Sequence, residues 1–278
     1  MELKTTRIER EAFNRFSDFI MEREHIRILK DKNIPKPWTK NEILRGYHFT
    51  NVRREDDAVS RFLFNEWYPH FADQNNNKKW GAIMVARFIN NPDSLRIILR
   101  DMKAGNYKAA KYCLSELIGN NKVIFRSAYL QPEIKGVTRL DKIFDILMPQ
   151  IMEIDIPLTS LAEAVKAVTS IKYFGEFIAG QIVLDGIHVL DTSGVQNPWT
   201  DIHTFAPIGP GSVRGLNRLR ERDLKSKMKR PQYETEISEL HICPGMADWR
   251  AFDLEHALCE WDKYERLLWG QGSYNRKR

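Results

Sequence analysis

TFAPIGPGSVRGLNRLRERDLKSKMKR, residues 204–230, joins a glycine hairpin to a helix start and then to the densest run of positive charge in the chain. Gly209-Pro210-Gly211 can turn tightly and bring backbone N–H groups close to an anion, and Ser212 stands where an N-cap is needed ahead of Val213, Leu216 and Leu219. Between 212 and 230 there are eight Lys or Arg against Glu221 and Asp223, a local +6 that equals the net charge of the whole chain. Charge concentrated on one segment predicts a nucleic-acid contact, with a helix-hairpin-helix element seated on the DNA backbone as its geometry. A solvated helix with a capped start carries the same pattern. Lys-Ser/Thr does not follow the last glycine, so the hairpin is not a nucleoside-triphosphate P-loop.

Outward from this stretch the periodicity is helical almost everywhere. Apolar residues recur at helical spacing from Ile8 to Leu29, and Pro35 and Pro37 end that helix. A second start at Trp38-Thr39 leads into RGYHFTNVRREDDAVSRFL (45–63), where Asn51, Arg54, Asp57 and Arg61 are expected on one side of a helix. Helices over 82–90, 93–102 and 107–118 follow; 124–136 is the one place where a strand or extended arm is arguable. Segments 140–154 and 158–171 are again helical, and KYFGEFIAGQIVLDG (172–186), with Gly175 and Gly180, predicts a buried helix packed closely on a neighbour. Residues 187–205 read as a long loop, and Pro231 to Trp249 as a polar segment. In the last helix, 253–269, Leu254, Ala257, Leu258, Trp261, Tyr264 and Leu268 form one stripe, while Asp253, His256, Glu260 and Lys263 share another face. The expectation is an all-α fold: one helical domain over 1–270, or two helical lobes meeting at a cleft, with a basic disordered tail at 271–278.

The chain has 278 residues, ample for a core, and three widely spaced cysteines, which suit a reducing cytoplasm and not a disulfide framework. No apolar run approaches the roughly 18 residues that a membrane span needs, so no membrane partner is expected. His241-x-Cys243 and His256-x-x-Cys259 offer four ligand-competent side chains at a spacing too loose for a zinc motif, and no metal is expected. The polar face of the last helix is the chemical candidate, supplying a general base, an orienting carboxylate and a cation for a leaving anion. Asp253 is equally well placed to cap the helix.

YHFTNVRREDDAVSRFL (47–63), FGEFIAGQIVLDG (174–186) followed by FAPIGPGSVRGLNRL (205–219), and DLEHALCEWDKY (253–264) occur in an order that covers most of the chain. Together they resemble the bacteriophage thymidine-hypermodification proteins of the DNA-glycosylase-like superfamily, the amino acid:DNA transferases first called alpha-glutamyl/putrescinyl thymine pyrophosphorylases. A related branch is the helical domain of 5-hydroxymethyluracil DNA kinases, which carry an additional P-loop domain; the lack of a P-loop here argues against kinase activity. The resemblance implies a DNA-glycosylase-like helical fold working in the host cytoplasm on double-stranded phage DNA that carries 5-phosphomethyluracil. A free amino acid, glycine or glutamate, replaces the phosphate without any other cofactor, and the modified base shields the DNA from host restriction. On this resemblance Asp253, Glu255 and His256 are the acid–base candidates, and Arg54 and Arg61 hold phosphate or carboxylate. Asn51 and Asp57 read the base or position the arginines, Glu260 and Lys263 line the substrate site, and Gly209, Gly211, Ser212, Arg214 and Arg218 grip the DNA backbone. A base glycosylase and a non-catalytic helical DNA-binding protein are the other readings.

Overall fold

Helices account for the regular structure among residues 8–126, 133–192, 199–241 and 245–271, which are those the computed structural model describes, and no strand occurs among them. In chain order they are α1 (Arg10–Asp31), α2 (Glu42–Gly46), α3 (Ala58–Phe62), α4 (Asn76–Ile89), α5 (Pro92–Lys103), α6 (Tyr107–Gly119), α7 (Arg139–Asp141), α8 (Met148–Glu153), α9 (Leu161–Thr169), α10 (Glu176–Thr192), α11 (Pro210–Leu219), α12 (Arg230–Leu240) and α13 (Ala251–Leu268). The fold is all-α. Several starts are written locally: Asn41, Asn75, Asn91, Asn106, Thr138 and Ser160 each accept a backbone N–H of the first turn on their side chains.

Two compact units divide the chain. Residues 58–201 form an inserted unit, while the residues up to Asp57 and from Ile202 onward together form a terminal unit. In the inserted unit α4 is buried on all sides from Lys79 to Ile89, as a helix apolar around its whole circumference must be. Gly81 admits Met152 and Met148 against the helix, and a Cβ on Gly186 of α10 would run into the Trp80 ring. The close approach expected of α10 is thus made at Gly186, and nothing approaches Gly175. Within this unit Asp185, fully buried, accepts hydrogen bonds from Tyr68 and from both Nε and Nη2 of buried Arg87, and Arg87 also reaches Ser60 Oγ at 3.2 Å.

In the terminal unit α13 is the axis. Phe252, Leu254, Leu258 and Trp261 are buried, and Phe16 and Phe19 of α1 meet Trp261 and Tyr264 at ring separations of 5.1 and 5.2 Å. α11 lies directly on α13: a Cβ at Gly215 would come within 2.7 Å of the Leu258 carbonyl oxygen, and one at Gly211 would collide with Cys259 Sγ. Gly215→Ala is accordingly expected to cost about 1–3 kcal/mol, because the obstacle is backbone and cannot rotate away. A urea midpoint unchanged from the parent protein would refute that close contact.

Several sequence expectations change. α11 begins at Pro210 with Gly209 as its N-cap, so Ser212 lies inside the first turn, donating to the Gly209 carbonyl at 3.0 Å. The segment from Pro231, expected to be polar and without a helix, lies largely in α12, with Pro231 in its first turn; proline is tolerated there because its missing N–H has no intrahelical partner. α10 continues to Thr192, taking in residues expected in a loop. Residues 45–63 are not one helix: a 3-10 turn at Arg54–Asp56 is followed by Asp57 in an extended conformation before α3 begins. Of the arguable arm at 124–136, residues 127–132 lie outside the described residues and the rest carries no strand; of the tail at 271–278, residues 272–278 lie outside them.

Candidate functional site

A cluster of titratable side chains in the terminal unit is built where the segment after α2 meets α1 and α13. Arg23, buried on α1, donates from Nη2 to the carbonyls of Phe49 (3.0 Å) and Thr50 (2.8 Å), which fixes that segment without any regular structure of its own. Thr50 then faces α13 twice. Its backbone N–H donates to Glu260 Oε2 at 3.1 Å, and its hydroxyl lies 2.6 Å from His256 Nε2. Either the hydroxyl donates to a neutral ring nitrogen or a protonated ring donates to the hydroxyl oxygen. Asn51 closes the turn, its backbone N–H on Asp57 Oδ1 at 2.9 Å and its amide on the Asp56 carbonyl at 2.7 Å.

Electrostatics couple these groups. Burial pushes the Asp57 carboxyl up from its ordinary value, against the Asn51 hydrogen bond and the charges of His256 and Arg54, while Glu260 adds to the rise. Glu255 is buried and pushed up to about 7, again chiefly by burial, opposed by the neighbouring Ser212 hydroxyl and by Arg54, with Glu260 raising it further. Burial likewise lowers Arg23, against the attraction of Glu260 and Asp57. Asp57 and Glu255 thus both have their carboxyls raised by burial, and both feel the charge of buried Arg54. Lys263 donates to the His48 carbonyl, lies 4.7 Å from the Phe49 ring centroid and 3.5 Å from Glu260.

Asn51, Arg54, Asp57, Glu255, His256, Glu260 and Lys263 all belong to this unit, linked by these bonds and charges, whereas Arg61 belongs to the inserted unit. Asp253 is turned to another use. Its carboxylate takes Nε and Nη2 of Arg250 at 2.9 Å each, and Arg250 also reaches Glu55 at 2.6 Å, so Asp253 anchors the start of α13. Arg23 was not singled out from the sequence. The signal was present, since it falls in the apolar stripe of α1 between Phe19, Ile20 and Ile26, where a solvated arginine has no place.

The hairpin residues have interior partners. Gly209, Gly211 and Ser212, expected on the DNA backbone, are buried: a Cβ on Gly209 would stand 2.9 Å from Glu255 Oε1, and Ser212 Oγ accepts from Tyr233 at 2.8 Å. Arg214 and Arg218 converge on buried Asp262 at 2.7 and 2.9 Å. Arg220 and Arg222 pair with Glu236 at 3.0 and 2.6 Å, and Arg230 with Glu234 at 3.1 Å. The local +6 is therefore largely met by carboxylates from α12 and α13, which leaves Lys225, Lys227 and Lys229 exposed. Of the four ligand-competent side chains weighed for zinc, His241 Nε2 is 2.7 Å from the Trp249 carbonyl and His256 is on Thr50. Burial and the nearby carboxylates push the Cys259 thiol up to about 12, which keeps it protonated, and Cys243 lies outside the described residues.

No solved structure matches the chain. It is similar to a 5-hmdU DNA kinase of Bacillus phage SP10, 24% identical over 226 residues, an alignment that covers 73% of this chain and 35% of the relative. The chain thus corresponds to about a third of that relative's length. A family model described as the helical domain of 5-hmdU DNA kinase matches residues 10–273, nearly the whole sequence, and the chain belongs to that family.

Proposed function

We propose that this chain is an amino acid:DNA transferase of phage DNA hypermodification, exchanging the phosphate of 5-phosphomethyl-deoxyuridine for the amine of glycine or glutamate. The observation that supports it most is the juxtaposition of His256, held by Thr50, with Asp57 and Arg54 in one polar cluster. The family name adds to it, because a kinase acting on 5-hmdU in DNA supplies a phosphomethyl group for such an exchange.

The reaction breaks the bond between the exocyclic methylene carbon and the phosphate oxygen. Phosphate leaves with the electron pair, assisted by the uracil ring. The amine nitrogen then bonds to that carbon, and the proton it sheds must be taken up. An imidazole poised by a hydroxyl, with a carboxyl of raised affinity for protons beside it, suits that proton transfer. In this reading His256 is the base, Asp57 and Thr50 orient it, and Arg54 and Lys263 attract the leaving phosphate or the incoming carboxylate. Glu255, buried against Gly209, positions the hairpin and Arg54.

His256→Ala is expected to lower turnover about a hundredfold while leaving DNA affinity intact. Unchanged turnover would remove the imidazole from the chemistry. The direct test is mass spectrometry of nucleosides from 5-phosphomethyluracil DNA incubated with the protein and one amino acid at a time. A new aminoacyl-methyl nucleoside that depends on the amino acid supports the transferase; free base or abasic sites would replace it with a glycosylase. A second reading, DNA recognition without chemistry, is favoured by the burial of Arg54 and Glu255 and predicts binding with no altered nucleoside.

A further inference from the structure

Beside α1, in the terminal unit, lies a cavity of about 610 Å³ that the reading above does not use. Its walls carry three cations, Lys30, Lys36 and Arg45, against one carboxylate, Glu42. Among the described residues none of the three cations forms an ion pair. Trp38 is fixed in the wall by a hydrogen bond from its indole N–H to the Ile34 carbonyl at 2.6 Å, and the ammonium groups of Lys30 and Lys36 lie 5.0 and 5.1 Å from its ring centroid. Ile26, Pro37 and Leu44 complete an apolar side. Burial together with the neighbouring charges of Arg23 and Lys36 pulls the Lys30 amine below its ordinary value, against the attraction of Asp57 and Asp31. Positive charges that line one cavity repel one another, and an anion among them would relieve that repulsion.

We infer that this cavity binds a nucleoside phosphate, its phosphate among Lys30, Lys36 and Arg45 and its base along the Trp38 side. The chemistry of the walls narrows the ligand. Two excess positive charges match the charge of about −2 on a phosphate monoester. An indole wall suits a flat aromatic base, since every base has a π-face to offer. A lone amino acid fills little of such a volume, and a bare phosphate leaves the indole and aliphatic walls uncovered. A free nucleotide and a unit of a DNA strand share this chemistry, and the inference does not depend on the transferase reaction.

Isothermal titration of the full chain with dTMP, with deoxythymidine and with a short oligo-dT strand tests it, at low salt and without any activity assay. Binding of dTMP with deoxythymidine silent supports a free nucleotide; binding of the strand alone supports a strand unit. In either case Lys30→Glu and Arg45→Glu should each weaken the interaction about tenfold, and Glu42→Gln should tighten it about two- to threefold. The Glu42 variant keeps the test decisive should a charge reversal fail to fold. Equal binding of deoxythymidine, no binding of either phosphate-bearing probe, or affinities indifferent to all three substitutions would overturn the inference.

Discussion

Asp185→Ala is expected to lower the unfolding free energy of the inserted unit by about 3–5 kcal/mol, the usual consequence of removing one partner from a buried ion pair. The carboxylate is fully buried and is the common acceptor for Arg87 and Tyr68. Without it the guanidinium of Arg87, also buried, keeps only the 3.2 Å bond to Ser60 among the contacts described above, and the phenol of Tyr68 loses its acceptor. The loss is one of charge compensation more than of volume. Replacing both partners at once, Arg87→Met with Asp185→Leu, is therefore expected to recover much of the stability, because no uncompensated charge remains. Urea denaturation followed by near-ultraviolet circular dichroism measures both. A single variant as stable as the parent, or a double variant no better than the single, would show that the network is not what holds α4 to α10.

The second large effect is a dependence on pH. Glu255 has an ordinary value of 4.5 and is pushed up to about 7 in the folded chain. Between those two values the folded protein binds more protons than the unfolded one, so its stability falls as pH rises through that window and levels off above about 7. A shift of that size corresponds to about 3 kcal/mol. Glu255→Gln removes the ionisation and keeps hydrogen-bonding capacity beside Ser212. The variant should match the parent near pH 4 and exceed it by about 3 kcal/mol near pH 8. Asp57, also raised by burial, would leave a smaller residual slope of the same sign. Parallel stability curves for the two proteins between pH 4 and 8 would mean that the carboxyl is already relieved by its partners.

How far the sequence can be read depends on what kind of information a residue carries. Helices with an apolar stripe and an Asn at their start were legible, α5 and α6 among them, because spacing and caps are local signals, whereas α4, buried all round, begins six residues ahead of the expected start at 82. α12 was not legible, since RPQYETEISEL has only Tyr233, Ile237 and Leu240 as apolar residues on its buried side, beside buried Glu236, and carries in its first turn a proline that stops a helix only when it comes later. The basic run was legible as charge and misleading as surface. Whether Arg214 and Arg218 face solvent depends on Asp262, which is more than forty positions away and lies next to Trp261 of the apolar stripe, where the spacing gives no sign that a carboxylate is buried as a partner for two arginines. In the candidate site, His256, Glu260 and Lys263 could be grouped by helical spacing alone. Their partners could not, because Thr50 and Arg23 reach α13 and the extended segment through tertiary contacts that no local pattern encodes.

Thr50 and His256 are 206 positions apart in sequence, with the whole of the inserted unit between them. During synthesis the ribosome therefore delivers the inserted unit complete while its host still lacks α11 to α13. Arg23, Thr50 and Asp57 must wait, solvated, until the last helix emerges to receive them. The decisive step in folding the terminal unit therefore follows synthesis of the inserted unit, and a chain stalled after Asp201 would present a folded middle with an unfinished site.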